Sequence, residues 1–188
     1  METTLYIKNM VCDRCKMAVD KTLRDKGLHP LSVELGVVKV AEAISADMRE
    51  ELRGELEKIG FELMDDKRRR TIEQIKNAVI QLVHYRDNAS TVNLSDYLAA
   101  QLHSDYSALS KLFSEATGMT VERYYILQRI ERVKELLWYD ELSLTQIALQ
   151  MNYSSTAYLS NQFKSITGMT PSQFKALGKN TLKELDKI

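Results

Sequence analysis

The chain has 188 residues, enough for one ordinary domain or two small ones. Its 26 Lys and Arg balance 26 Asp and Glu, which excludes a uniformly basic nucleic-acid binder and an acidic disordered chain as descriptions of the whole. The balance is uneven, because residues 1–66 hold 10 basic and 14 acidic side chains, net −4, whereas residues 67–188 hold 16 and 12, net +4.

No run of about 18 apolar residues is present and the start lacks the basic-then-apolar layout of a leader, so the expectation is a cytoplasmic protein with no membrane partner. In a reducing compartment the two cysteines, Cys12 and Cys15, point to metal binding or thiol redox chemistry rather than to a structural disulfide.

Residues 3–9 alternate β-formers with polar residues and predict a half-buried strand. After the loop Met10-Val11-Cys12-Asp13-Arg14-Cys15, a helix is expected from Asp13 to about Lys26, with Met17, Ala18, Val19 and Leu23 on its stripe and Gly27 closing it. Two strand-like runs, 31–35 and 37–40, flank Gly36, which permits a tight hairpin. Ser45 is placed to cap a helix reaching Ile59, and residues 61–64 read as a last strand. The resulting order, βαββαβ, is that of a ferredoxin-like sandwich, so the fold class is α+β with this unit first.

That order places Cys12 and Cys15 at one end, together with the hairpin at Gly36 and the loop 58–61. His29 falls at the other end, about 20 Å away, too far to be a third ligand. Helix-start amides with Arg14 and Lys16 are expected to favour thiolate at Cys15, with Asp13 opposing. Two soft thiolates without a neighbouring His suit a two-coordinate soft ion such as Cu(I), with another soft metal ion as an alternative, while Zn(II) requires water or ligands from a partner. A thiol redox couple or an inert pair are the other readings of the same spacing.

Met10-Val11-Cys12-Asp13-Arg14-Cys15 on this order resembles the heavy-metal-associated domain of copper chaperones and metal-transporting ATPases, whose motif is Met-x-Cys-x-x-Cys. The resemblance covers residues 1–66. It implies that Cys12 and Cys15 are ligands, that Met10 packs beneath the loop and that Phe61 covers the site. Asn9 stands where that family usually has Gly.

Residues 67–90 read as a connector. Lys67-Arg68-Arg69-Arg70 is a basic run suited to solvent or to a phosphate. Ile72, Ile75, Val79, Leu82 and Val83 form a helical stripe suited to packing on the C-terminal domain or on a second copy of the chain, the second arrangement being a homodimer. His84 near its end is expected to be solvated or capping.

Shifting the sequence by 50 residues aligns 94–124 with 144–174 without a gap. Leu94/Leu144, Ser104/Ser154, Leu109/Leu159, Ser110/Ser160 and Phe113/Phe163 are identical, as are Thr117-Gly118-Met119-Thr120 and Thr167-Gly168-Met169-Thr170. Such self-similarity means two copies of one supersecondary unit. Each copy reads as helix, turn, helix. Asn93 and Ser143 cap the first helices, which turn Leu94, Leu98 and Leu102, or Leu144, Ile147, Ala148 and Met151, inward. Ser104 and Ser154 are expected to cap the second helices, which bury Leu109, Leu112 and Phe113, or Leu159 and Phe163. Between the copies a long helix, Arg123 to Tyr139, turns Ile126, Ile130, Val133, Leu136 and Leu137 inward.

This geometry presents a helix to the major groove of double-stranded DNA. The outward positions are Tyr106, Ser107, Ser110 and Lys111 in one copy, and Thr156, Ala157, Tyr158, Ser160 and Asn161 in the other, with Asn161 best suited to adenine. Arg129, Arg132, Lys134 and Lys164 are expected to be available for phosphates.

Residues 71–177 resemble the AraC/XylS family of bacterial transcription regulators. Leu144-Thr-Gln-Ile147-Ala148, Ser160-x-x-Phe163-Lys164 and Thr167-Gly168-Met169-Thr170-Pro171-Ser172-x-Phe174 carry the resemblance. Asn152 stands where Gly is usual, and the first recognition helix is poor in Arg. The resemblance implies recognition of an asymmetric promoter site by a monomer with two helix-turn-helix units, so residues 91–188 are expected to form the DNA-binding domain.

Together the halves read as a metal-responsive transcription regulator. A thiol-redox regulator, or a metal-buffering domain tethered to a DNA-binding module without coupling, are the alternatives. Catalysis is not expected, because no paired carboxylates, nucleophile–base grouping or phosphate loop is present.

Overall fold

The computed structural model describes residues 2–65, 67–86, 88, 92–177, 182–185 and 188. They fall into two compact units, Met1–Asn77 and Ala78–Ile188. The expected domain limits at residue 66 and at residues 90 and 91 lie outside the described residues.

In the first unit the elements are β1 (Thr3–Lys8), α1 (Asp13–Asp25), β2 (Pro30–Glu34), β3 (Val37–Val40), α2 (Ala46–Lys58) and β4 (Glu62–Leu63). The strands lie in the order β2-β3-β1-β4, and every neighbouring pair is antiparallel. Alternation decides which face is dry: Leu5 and Ile7 of β1 are fully buried while Thr4, Tyr6 and Lys8 are half-exposed. Val38 and Val40 of β3, Val19 and Leu23 of α1, and Leu52 and Leu56 of α2 complete one core with them.

The stripe on α1 differs from expectation. Met17 is 73% exposed, whereas Cys15 packs against the core ahead of Val19 and Leu23. Residues four apart share a helix face and residues two apart do not, so Cys15 heads the buried stripe and Met17 points away from it.

Helix α3 (Lys67–Ile80) runs into a π-helical turn, Gln81–Tyr85, a local widening that the periodicity did not announce. Its basic start is engaged: Arg69 pairs with Glu62 at 2.6 Å, and the Arg70 guanidinium lies 4.6 Å over the Tyr6 ring. Farther along, buried Asn77 donates its Nδ2 to the Leu35 carbonyl at 3.1 Å. Gly36 makes this approach feasible, since its φ is +78° and a Cβ there would lie 2.1 Å from Asn77 Nδ2. Gly36→Ala is therefore expected to cost about 1–3 kcal/mol, read from urea unfolding, because a strained backbone is combined with a displaced buried amide. An unchanged midpoint would contradict the packing at Asn77.

Glu73 on α3 is desolvated, which pushes its carboxyl pKa up against the pull of Lys76, Lys8 and Arg69. A carboxyl raised in the folded state loses stability as pH climbs through that raised pKa. Glu73→Gln is expected to raise the melting temperature more at about pH 8 than at about pH 4, and an equal rise at both would remove the desolvation argument.

The second unit holds α4 (Leu94–Leu102), α5 (Tyr106–Thr117), α6 (Val121–Tyr139), α7 (Leu144–Gln150), α8 (Thr156–Thr167) and α9 (Pro171–Ala176). The 50-residue shift is reproduced in three dimensions. α5 and α8 each have 12 residues and stop at Gly118 (φ 74°) and Gly168 (φ 82°). Thr120 and Thr170 then cap α6 and α9. Phe113 meets Tyr124 with ring centroids 5.6 Å apart, and Phe163 meets Phe174 at 5.5 Å.

Several local expectations are corrected. The caps of α5 and α8 are Asp105 and Ser155, not Ser104 and Ser154, because the side chains that accept from Ala108 N and Tyr158 N belong to the following residues. α6 starts at Val121, two residues before Arg123, since Thr120 satisfies its first turn. On its inner face Ile126 is half-buried, beside buried Ile130, Val133, Leu136 and Leu137. Leu94, Leu102, Leu112 and Leu144 are half-buried, and Tyr97 takes a core place that the leucine pattern did not suggest. His84 is not solvated: its side chain is 6% exposed, with Nε2 2.9 Å from Gln128 Oε1 and Nδ1 3.8 Å from Glu135.

Candidate functional site

The thiol pair sits where β1 hands over to α1. Cys12 is the N-cap residue of α1 and Cys15 lies in its first turn; both are half-buried, with their sulfurs 3.2 Å apart. Asn9 adopts φ 71° and donates Nδ2 to the Gly60 carbonyl at 2.9 Å, so asparagine supplies the left-handed backbone usually met by glycine and also ties the thiol loop to the 58–61 loop. Ile7 N bonds Gly36 O at 3.0 Å, which brings the hairpin to the same end. His29 pairs instead with Glu42, and Ala41 N bonds its carbonyl at 3.0 Å, on the far side of the hairpin strands. Met10 and Phe61 are both buried in the core beneath.

The electrostatics of Cys15 run against expectation. Burial pushes its thiol up, a backbone hydrogen bond at Val11 lowers it, and the Cys12 thiol raises it again. Lys16 gives little help because its ammonium lies 3.3 Å from Asp13 and 3.6 Å from Glu34. Among the described residues no group of three His, Cys, Asp or Glu is arranged to hold a metal ion. The chemistry of the donor set, two soft sulfurs at one protein end, fits a soft ion of low coordination number better than a closed tetrahedral site.

In the second unit the turns after α4 and α7 pass through left-handed residues, His103 (φ 48°) and Asn152 (φ 53°). These expose one face of α5 and one of α8. On α5, Ser107 and Lys111 are exposed while Tyr106 and Ser110 are half-buried. On α8, Ala157, Asn161 and Lys164 are exposed, Tyr158 is 52% exposed, and Thr156 and Ser160 are half-buried.

Three of the four cations expected at phosphates are committed elsewhere. Arg129 is only 8% exposed: its Nη2 donates to the Met151 carbonyl, and its guanidinium lies 3.8 Å from the Tyr153 ring centroid and 5.3 Å from that of Tyr125. Lys134 is also 8% exposed and bonds Glu131 at 2.6 Å, while Arg132 donates to Glu135 at 2.9 Å. α6 is a central helix, so its cations meet protein on most sides. Arg129 is thus corrected from a DNA contact to an internal hub.

That hub went unseen in the sequence. Asn88, 2% exposed, donates Nδ2 to Met151 O at 3.0 Å, accepts from Tyr125 OH, and receives Asn152 Nδ2 on its carbonyl at 2.6 Å. The partners are up to 64 residues apart, so no local pattern joins them.

A family model described as a helix-turn-helix domain matches residues 98–176. An uncharacterized HTH-type transcriptional regulator of Staphylococcus aureus is 34% identical over 113 residues, 60% of this chain and 14% of its own length. The HTH-type transcriptional activator RhaR of Salmonella arizonae is 33% identical over 82 residues, 44% of this chain and 29% of RhaR. Residues 98–176, within the second unit, therefore carry a helix-turn-helix domain. A crystal structure of a DNA-binding transcriptional dual regulator from Escherichia coli K-12 superposes on 56% of this chain and 92% of that one, with 21% identity and a TM-score of 0.49. The chain spans less than a third of the length of these two curated relatives. The family match begins at residue 98, within the second unit, and does not reach the thiol pair at residues 12 and 15.

Proposed function

We propose that this chain is a DNA-binding transcriptional regulator of the AraC type that responds to a soft metal ion, Cu(I), held by Cys12 and Cys15. The observation that carries the reading is the presence, in one chain, of a helix-turn-helix domain with an exposed α8 face and of two sulfurs 3.2 Å apart at the tip of a separate α/β unit. We read that unit as a ferredoxin-like sandwich of the heavy-metal-associated kind. Zn(II) at the same pair would need further ligands from water or a partner.

Cys12 and Cys15 would hold a soft ion as thiolates, and the ion would supply a Lewis-acid centre there in place of the two thiol protons. Cys12 and Cys15 must therefore each release a proton, and the raised pKa at Cys15 makes uptake tighten with rising pH. A response requires the ion to prefer one state of the chain, since equal affinity for two states shifts nothing. On DNA, Asn161 reads an adenine edge and Lys164 meets a phosphate, while Thr156, Ala157 and Ser160 are small enough for close approach and Tyr158 adds apolar contact. The setting is the cytoplasm, on an asymmetric promoter site.

Asn161→Ala is expected to weaken binding to a selected duplex by about 1–3 kcal/mol and to relax one base position, whereas Lys164→Ala lowers the salt slope by about one without changing sequence preference. Gel-shift titrations across salt concentrations check both. For the metal half, titration of the full chain with Cu(I) against a competing chelator, followed by duplex binding of loaded and empty forms, is the test. Identical duplex affinity in both forms would leave a metal buffer tethered to a DNA-binding module.

The sulfur separation also favours a second reading. A disulfide brings sulfurs to about 2.05 Å, so a modest rotation would join Cys12 and Cys15, with two electrons and two protons passing to a cellular oxidant. Duplex affinity that follows thiol oxidation in metal-free buffer would select this reading.

A further inference from the structure

The two helix-turn-helix copies share a backbone but not an electrostatic character. Residues 94–124 hold four acidic and two basic side chains, net −2, and residues 144–174 hold none and one, net +1. Two of the four carboxylates flank the start of α5, the end that a recognition helix directs at base edges. Asp105 caps it, accepting from Ala108 N at 3.1 Å and from the Ser107 hydroxyl. Glu122, at the start of α6, accepts from the Tyr106 hydroxyl.

Both carboxyls are held below their usual range, Asp105 by the Ser107 bond and Glu122 by the Tyr106 bond, so both are ionised at neutral pH. The Tyr106 phenol, desolvated and beside Glu122, is pushed up to about 12. The hydroxyls of Tyr106 and Ser107, which could have read bases, already donate within the protein, and Lys111 has Glu115 at 4.0 Å. At the matching positions of the second copy stand Ser155, Ser165 and Ser172, all neutral.

We propose that the duplex is held by the second copy alone, through α8, and that Asp105 and Glu122 keep α5 away from the phosphates. The inference rests on the DNA-binding reading above and sharpens it. An anionic helix start repels a phosphate backbone carrying about one charge per 1.7 Å, whereas the start of α8, capped at Tyr158 N by the Ser155 hydroxyl, adds no carboxylate to repel it, and exposed Lys164 in the last turn of that helix attracts it.

The test uses the full chain and duplexes enriched from a random library of about 30 base pairs, with hydroxyl-radical footprinting and affinity across salt concentrations. The parent chain is expected to protect one major-groove segment. Asp105→Asn with Glu122→Gln, which keeps a capping side chain and a hydrogen-bond acceptor, is expected to bind about tenfold more tightly, with a steeper salt slope, and to extend protection by about one helical turn. Unchanged thermal melting of that variant shows that the fold is intact; if it melts early, Asp105→Asn alone serves in its place. Protection of two successive grooves by the parent chain, or no gain in the neutralised variant, overturns this inference only. Enrichment of no duplex at all overturns the DNA-binding reading and this inference with it.

Discussion

Alanine at Arg129 is expected to lower the stability of the second unit by about 2–4 kcal/mol and to abolish tight duplex binding. The guanidinium gives a charged hydrogen bond to Met151 O, worth about 1.5–3 kcal/mol, and a desolvated cation–π contact with Tyr153, worth about 2 kcal/mol. Part of that is offset because its Nε is buried without a partner, so the variant also escapes a cost. The contacts hold the Met151-Asn152-Tyr153 turn to α6, and that turn sets the direction of α8, so the placement of the reading helix fails with them. Arg129→Lys is not expected to rescue, since an ammonium has neither the planar fork nor the stacking face. Urea unfolding followed by the single tryptophan, Trp138, together with gel shift, provides the measurement. A variant as stable as the parent would show that the hub contributes nothing.

Cys12→Ser with Cys15→Ser is expected to reduce Cu(I) affinity by more than a hundredfold. Loss of an outer-shell partner alone costs a metal site about 10–100-fold, and here both soft donors are replaced by hard hydroxyls. The exchange barely changes volume, and both side chains are half-buried, so circular dichroism and thermal melting should remain close to the parent's. Chelator competition measures the affinity, and duplex binding of the variant with and without Cu(I) shows whether the response is lost with the ion. Retained uptake would place the metal elsewhere in the chain and remove the role given to this pair.

Much of this protein was readable from local chemistry. The 50-residue repeat, the strand and helix order of the first unit, the glycines at 36, 118 and 168, and the caps Ser45, Asn93 and Ser143 all follow from spacing and side-chain type. These signals act within a few residues, and a single turn or cap satisfies them regardless of what packs on top. Less local properties were misread. Arg129 and Lys134 look like surface cations until α6 is seen to be enclosed, and His84 looks solvated until Gln128 and Glu135 close over it. Met17 shares its segment with the core residues but lies on the wrong face, while Cys15 lies on the right one.

The amino-acid order by itself determined where elements start and stop, that one helix-turn-helix occurs twice, and that two thiols stand together at a helix start. Only the tertiary structure decided which charges are free. Burial and pairing depend on residues far along the chain, 42 positions away for Asn77 and Leu35 and 63 for Asn88 and Met151, and an unfolded chain carries no local signature of such contacts. The same reason governs the two recognition helices: their sequences align, but whether a hydroxyl is left to read a base depends on the carboxylate that packing brings beside it.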